Sequence, residues 1–158
     1  MPVRYYPLLL ILVSAVANSA IEPSGCDTAW RQQPITQEFS YLEDIQPVWN
    51  QFCANCHVDH GGGPAAGLDL DPAFSYPNLV NAPNGTLSIL LVAPGDPAGS
   101  LIFRKINCSE PGPELGDPPM PLGRPSLPPS RQALIYDWIA AGAPMQLERL
   151  FASGFEER

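Results

Sequence analysis

The chain has 158 residues and a formal charge of −8, from 16 Asp and Glu against 8 Lys and Arg. That balance excludes nucleic acid as a natural partner and favours a partner with a basic docking face, although solubility alone explains an acidic surface equally well. Twenty prolines and 13 glycines break the chain into short elements separated by long connections, so this one domain's length of sequence needs something to organise it.

The first 20 residues read as a secretory signal peptide. Arg4 opens a short n-region, Leu8 to Val16 form an apolar core too short to span a bilayer, and Ala15-Val16-Ala17 matches the small-x-small cleavage rule. Ala17-Asn18-Ser19 and a cut after Ala20 are alternatives, which places the mature start between Asn18 and Ile21. No second apolar stretch is long enough to cross a membrane. The expected location is therefore periplasmic or extracellular, and loss of Arg4 with the signal makes the mature chain more acidic still. Residues 21–38, with Pro23, Gly25 and Pro34, are expected to form an irregular arm.

The domain proper is expected over residues 39–144. Asp44 is a good helix N-cap, Pro47 falls in the first turn where its missing N–H costs little, and Ile45, Val48, Trp49 and Phe52 recur at helical spacing. This helix leads straight into Cys53-Ala54-Asn55-Cys56-His57. Two cysteines separated by two residues in a helical turn lie on one side of the backbone. Both thiols can then add across the vinyl groups of a single porphyrin while the next residue presents its imidazole to the iron, and C-x-x-C-H is the run that attaches haem c. Zinc would need four ligands, usually as two paired sets, yet Cys26 and Cys108 stand alone and far apart. A thioredoxin-like dithiol would want a βαβ neighbourhood that this segment lacks. A covalently held macrocycle would also supply apolar surface around which short helices pack.

Gly61-Gly62-Gly63-Pro64 reads as a flexible loop and Gly67-Leu68-Asp69-Leu70-Asp71-Pro72 as a brief extended piece. Glycines here either let the backbone pass close to a porphyrin or simply make turns. Pro94-Gly95-Asp96-Pro97 sets up a second helix, with Asp96 as N-cap, Leu101, Ile102, Phe103 and Ile106 as its apolar content, and an end near Asn107. From Glu110 to Pro129 proline and glycine dominate, with Asp117-Pro118-Pro119-Met120-Pro121-Leu122-Gly123 in the middle. A third helix follows over Ser130 to Ala141, with Leu134, Ile135, Trp138 and Ile139 on one face and Gly142 as its stop. Residues 145–158 are a tail that makes a weak amphipathic turn or frays.

The order of these landmarks resembles the planctomycete-type cytochrome c domain, a branch of the class I c-type cytochromes. The resemblance runs over about residues 39 to 144 and is carried by Asp44-Ile45-Gln46-Pro47 before the haem motif, Gly67-Leu68-Asp69-Leu70, Pro94-Gly95-Asp96-Pro97 with Ser100-Leu101-Ile102, Met120-Pro121, and Trp138-Ile139-Ala140-Ala141-Gly142-Ala143. It implies a mostly α, cytochrome c-like fold of three to four short helices and long Pro/Gly-rich loops around one covalent haem c. The methionine of its Met-Pro motif, here Met120, is the implied sixth iron ligand. The chain departs from the family at Leu122, where a second proline is commoner, and at Pro128-Pro129, where a Ser/Thr cap often starts the last helix.

Proline on both sides restricts the backbone of Met120, and the residue lies far enough beyond His57 to fold over the opposite haem face. His60 is tethered near the proximal side and suits a surface or propionate-facing role, while Met145 suits packing. Trp49, Phe103 and Trp138 suit core or haem packing. His/Met ligation is the chemistry of a one-electron carrier serving redox partner proteins. An open sixth position would instead point to a peroxidase-like haem enzyme, and ligand exchange at Met120 to a haem-based sensor or docking module. Cys26 and Cys108 are most simply a disulfide in an exported protein. Free thiols, intermolecular pairing and a lipid anchor on Ser24-Gly25-Cys26 are the alternatives, the last disfavoured by Pro23.

Overall fold

Ser40, rather than Asp44, starts the first helical stretch. In the computed structural model, which describes residues 26–108 and 118–146, the Ser40 hydroxyl accepts from the Glu43 N–H at 3.3 Å, and the Ser40 N–H donates to the Asp44 carboxylate at 2.8 Å. Two donors that a helix start leaves orphaned are thus satisfied reciprocally, with Asp44 acting from inside the first turn. Residues Tyr41–Ile45 wind as a wide π-turn and pass into α1, Gln46–Phe52, with Pro47 in its first turn as the sequence predicts. The segment expected to be a signal peptide, the start of the arm, the proline-rich segment before Pro118 and the tail beyond Gln146 lie outside the described residues.

Four further α-helical segments follow: α2 (Ala54–His57), α3 (Ser75–Leu79), α4 (Leu101–Asn107) and α5 (Pro129–Ala140). Among the described residues the strand-like contacts are isolated bridges and no sheet forms, so the fold is mostly helical. Helix α4 ends at Asn107 as expected, but its cap is Ser100. Asp96 instead closes the turn before it, where its carboxylate accepts from the Gly99 N–H at 2.9 Å. Helix α3 has no counterpart in the sequence reading. It is five residues long, contains Pro77 and starts on a turn in which the Phe74 and Ser75 N–H groups both donate to the Asp71 carbonyl.

The core is aromatic and aliphatic, and α1 and α5 supply its centre. Trp49, Trp138, Tyr41, Ile45, Ile135 and Ile139 are all fully buried. Leu134, read as part of the buried face of α5, is only partly buried. Helix α5 stops where expected: Gly142 takes φ +95°, its N–H donates to the Ile139 carbonyl, and the Ala143 N–H donates to the Trp138 carbonyl. This is a Schellman close, which favours glycine because an L side chain strains at that φ.

The described part of the N-terminal arm, from Cys26, is irregular apart from one 3₁₀ turn, and it is tied to residues far along the chain. Cys26 and Cys108 form a disulfide with an S–S distance of 2.07 Å across 82 residues of sequence. Beside it the Asp27 N–H donates to the Asn107 carbonyl at 2.9 Å, the Asn107 side-chain amide donates to the Asp27 carbonyl at 2.8 Å, and Gln132 donates to the Asp27 carboxylate at 3.1 Å. A 3₁₀ turn over Ala29–Gln32 then seats Trp30 against Phe103 and Tyr136, at ring-centroid distances of 5.6 and 4.1 Å.

Two predictions follow from these contacts. Breaking the long-range crosslink with Cys26→Ser or Cys108→Ser is expected to cost about 2–4 kcal/mol of unfolding free energy. Peptide mass mapping of the unreduced mature protein is expected to find the Cys26–Cys108 crosslink, and a diacylglyceryl group on Cys26 would contradict it. The second concerns Tyr41, whose hydroxyl is fully buried beside the Ser75 and Trp49 side chains. Burial pushes this phenol from 10.0 up to about 12, so the folded chain keeps the proton to higher pH than the unfolded one. The stability tied to that proton is complete below pH 10 and is lost as pH rises through about 12. Denaturant titrations across that window are expected to show the wild type losing stability more steeply than Tyr41→Phe.

Candidate functional site

Helix α1 breaks at Cys53, where φ is −122° and ψ −28°, and the next turn, α2, carries the rest of the cysteine motif. The Cys53 N–H still donates to the carbonyl of Trp49 at 2.9 Å, so the first thiol hangs directly from a fully buried core residue. The Cys53 carbonyl in turn accepts from the N–H groups of Cys56 at 3.1 Å and His57 at 3.0 Å. Both thiols and the imidazole are thereby fixed by one short run of backbone.

The segment that follows folds back onto this turn. The Leu70 N–H donates to the His57 carbonyl at 2.6 Å, and the Leu70 carbonyl accepts from the buried Gln46 side chain at 2.9 Å. Gln46 also accepts from the Ser75 hydroxyl, so one buried amide ties α1, the Leu70 segment and α3 together. The glycine loop works as a turn: the Asp59 carboxylate accepts from the N–H groups of Gly61 at 2.7 Å and Gly63 at 3.0 Å, which holds that carboxyl below its ordinary range. Gly67, at φ +70°, is the glycine of this region that borders the cavity described next.

A cavity of about 700 Å³ opens beside the motif, inside the range of roughly 300–1,000 Å³ typical of cofactor and small-molecule sites. Cys53, Cys56 and His57 line it together with Met120, a residue brought in from a distant loop. Phe52, Leu68, Leu70, Leu91, Leu101, Ile102 and Ile106 give it apolar walls. The Met120 N–H donates to the Lys105 carbonyl at 2.7 Å, and the side chain packs against the core. The remaining candidates stand apart. His60 is exposed, with Nε2 3.3 Å from the Ala54 carbonyl, and Met145 is 45% exposed and contributes its backbone carbonyl to the Tyr41 N–H at 2.8 Å. Neither lines the cavity. Trp49, Trp138 and Phe103 belong to the core.

The sequence reading passed over the stretch from Pro77 to Leu87, which brings Asn78, Asn84 and Thr86 to the wall, and over two charged lining residues. Lys105 and Arg124 are the charged side chains on the cavity wall, and both are cationic. Lys105 was legible in principle, since it recurs at helical spacing with Leu101 and Ile102 and so shares their side of α4. Arg124, in an irregular turn, offered no periodic signal.

The chemistry of the site lies in its donors. Cys53 is half-buried and Cys56 exposed. Burial, with the neighbouring Cys56 adding to it, pushes the Cys53 thiol up to about 11. The His57 Nδ1 is buried without a hydrogen-bond partner, which leaves the ring under-satisfied. Among the described residues no cluster of three His, Cys, Asp or Glu side chains is arranged to hold a metal ion. The arrangement thus offers two thiols for covalent attachment, and an imidazole and a thioether able to act as ligands. Comparison of the chain with protein-family models, curated proteins and solved structures finds no match.

Because a thiol titrating at about 11 is almost wholly protonated near neutrality, its thiolate fraction is on the order of 10⁻⁴ at about pH 7. In chain that carries no thioether bonds, iodoacetamide is expected to modify exposed Cys56 ahead of Cys53, read by peptide mass mapping. Equal rates at the two positions would contradict the burial of Cys53.

Proposed function

We propose that this chain is an exported monohaem c-type cytochrome of the planctomycete type that carries single electrons. The observation that carries the reading is that both thiols of the C-x-x-C-H motif, His57 and Met120 line one apolar cavity although Met120 is remote in sequence. The mostly helical fold supports it at the level of fold class. The Cys26–Cys108 disulfide supports assembly in an oxidising compartment, and among the described residues no helix is long and apolar enough to cross a membrane.

The donor set fits haem c. Cys53 and Cys56 would hold the macrocycle as thioethers, and His57 and Met120 would hold its iron. The two thiols, the imidazole and the thioether on apolar walls suit a large apolar group that brings its remaining metal ligands with it. Once bound, the group supplies an iron that changes by one electron between ferric and ferrous forms. The protein's part is to keep both ligands in place and water out. A thioether ligand favours the reduced iron relative to a second imidazole, and a loop that holds it through both oxidation states keeps rearrangement small. These are the requirements of a carrier that exchanges electrons with redox partner proteins.

Two sets of variants test the reading. Cys53→Ala with Cys56→Ala is expected to abolish haem that survives denaturing electrophoresis, and retained haem would overturn the attachment. Met120→Ala is expected to remove the thioether charge-transfer band, lower the reduction potential and open the iron to carbon monoxide, whereas His60→Ala leaves all three in place. Wild-type protein that binds carbon monoxide freely would replace the carrier with a sensor or an open catalytic haem.

A further inference from the structure

We propose that Lys105 is the positioning residue that holds Met120 in the cavity, an inference that rests on Met120 being the sixth ligand. Met120 lies in a loop with no helix or strand of its own, between Pro118 and Pro121, so its placement must come from contacts outside the loop. Lys105 makes two of them. Its backbone carbonyl accepts from the Met120 N–H at 2.7 Å, and its ammonium donates to the Pro118 carbonyl at 3.0 Å.

Both contacts have a structural reason. Lys105 sits in the last turn of α4, where backbone carbonyls have no partner within the helix, so the loop N–H completes the helix as the helix completes the loop. Prolines at 118, 119 and 121 have no N–H to give. Met120 is therefore the residue of this run able to donate from its backbone, and its placement depends on the acceptor it finds. The ammonium clasps the carbonyl two residues earlier, and the loop is gripped on both sides of Pro119. Lys105 itself is anchored, because Asn107 and Cys108, two and three residues on, are tied to Asp27, Gln132 and Cys26.

The side-chain half of this grip is testable in the haem-loaded protein. Lys105→Met keeps the methylene stem and removes the donor, whereas Lys105→Arg keeps charge and donor. Carbon monoxide is uncharged, so loss of a charge alone does not alter its access to the iron, while loosening of the loop does. Lys105→Met is expected to bind carbon monoxide to the ferrous iron roughly three- to tenfold faster than wild type, the worth of one hydrogen bond in the loop-opening equilibrium. It is also expected to weaken the thioether charge-transfer band and speed exchange of the Met120 amide hydrogen. Lys105→Arg is expected to restore all three. If wild type is closed to carbon monoxide, Met120→Ala is open and Lys105→Met is as closed as wild type, the positioning role falls and Met120 stands as ligand. If wild type and Met120→Ala bind carbon monoxide equally well, the ligand assignment itself falls, and with it this inference.

Discussion

The bond from the Cys53 N–H to the Trp49 carbonyl is the link on which the site depends. Trp49 is fully buried and packed into the centre of the core, so its carbonyl belongs to the closely packed part of the fold. Cys53 is tied to it, and its own carbonyl extends the tie to Cys56 and His57. The His57 carbonyl then fixes Leu70, which Gln46 grips from the other side. A path of hydrogen bonds thus runs from the core to the cavity wall and, through the Gln46 side chain, back to α1. An α1 that continued unbroken through Cys53 would give a longer helix, but the break turns the second thiol outward, leaving Cys53 half-buried and Cys56 exposed.

Helix α4 joins two regions that would otherwise share little. One side of it meets the N-terminal arm: Phe103 stacks edge-on with Trp30 and with Tyr136 of α5, and Asn107 and Cys108 tie down Asp27 and Cys26. The other side, through Leu101, Ile102, Lys105 and Ile106, forms cavity wall. In a chain with 20 prolines, few helices are long enough to be stable alone, and packing must do what propensity does not. The disulfide and the aromatic stack make α4 rigid from behind, so that a seven-residue helix can present a defined surface in front.

The parts of this structure legible in the sequence are those with a local cause. Helical periodicity located α1, α4 and α5, and Gly142 marked the end of α5 because its positive φ is a backbone requirement. The motif spacing put Cys53, Cys56 and His57 on one turn, and the proline brackets singled out Met120. What could not be read depended on residues acting in pairs, on partners far along the chain, or on elements too short to show a period. Ser40 won the cap from Asp44 because both act together, and a single-residue cap rule sees only one of them. The disulfide that pins the arm was read from the even cysteine count, but the ties from Asn107, Gln132 and Tyr136 were not, none of them being nearby in sequence. Helix α3 was hidden by its length and by Pro77. Gln46 is the sharpest case: a glutamine beside a proline reads as surface, yet it is 2% exposed and bonded to three residues in different segments.

Net charge shows the same limit in a different form. A formal charge of −8 makes a basic partner the natural inference. The charges that border the cavity, however, are Lys105 and Arg124, and no Asp or Glu of the described residues lines it. Arg124 is exposed, and so is the bond from the Lys105 ammonium to the Pro118 carbonyl, so solvent screens both cations as it does other surface charges. Their place beside one another is set by which residues the fold gathers on one wall, and composition, which reports only the sum, is silent on that.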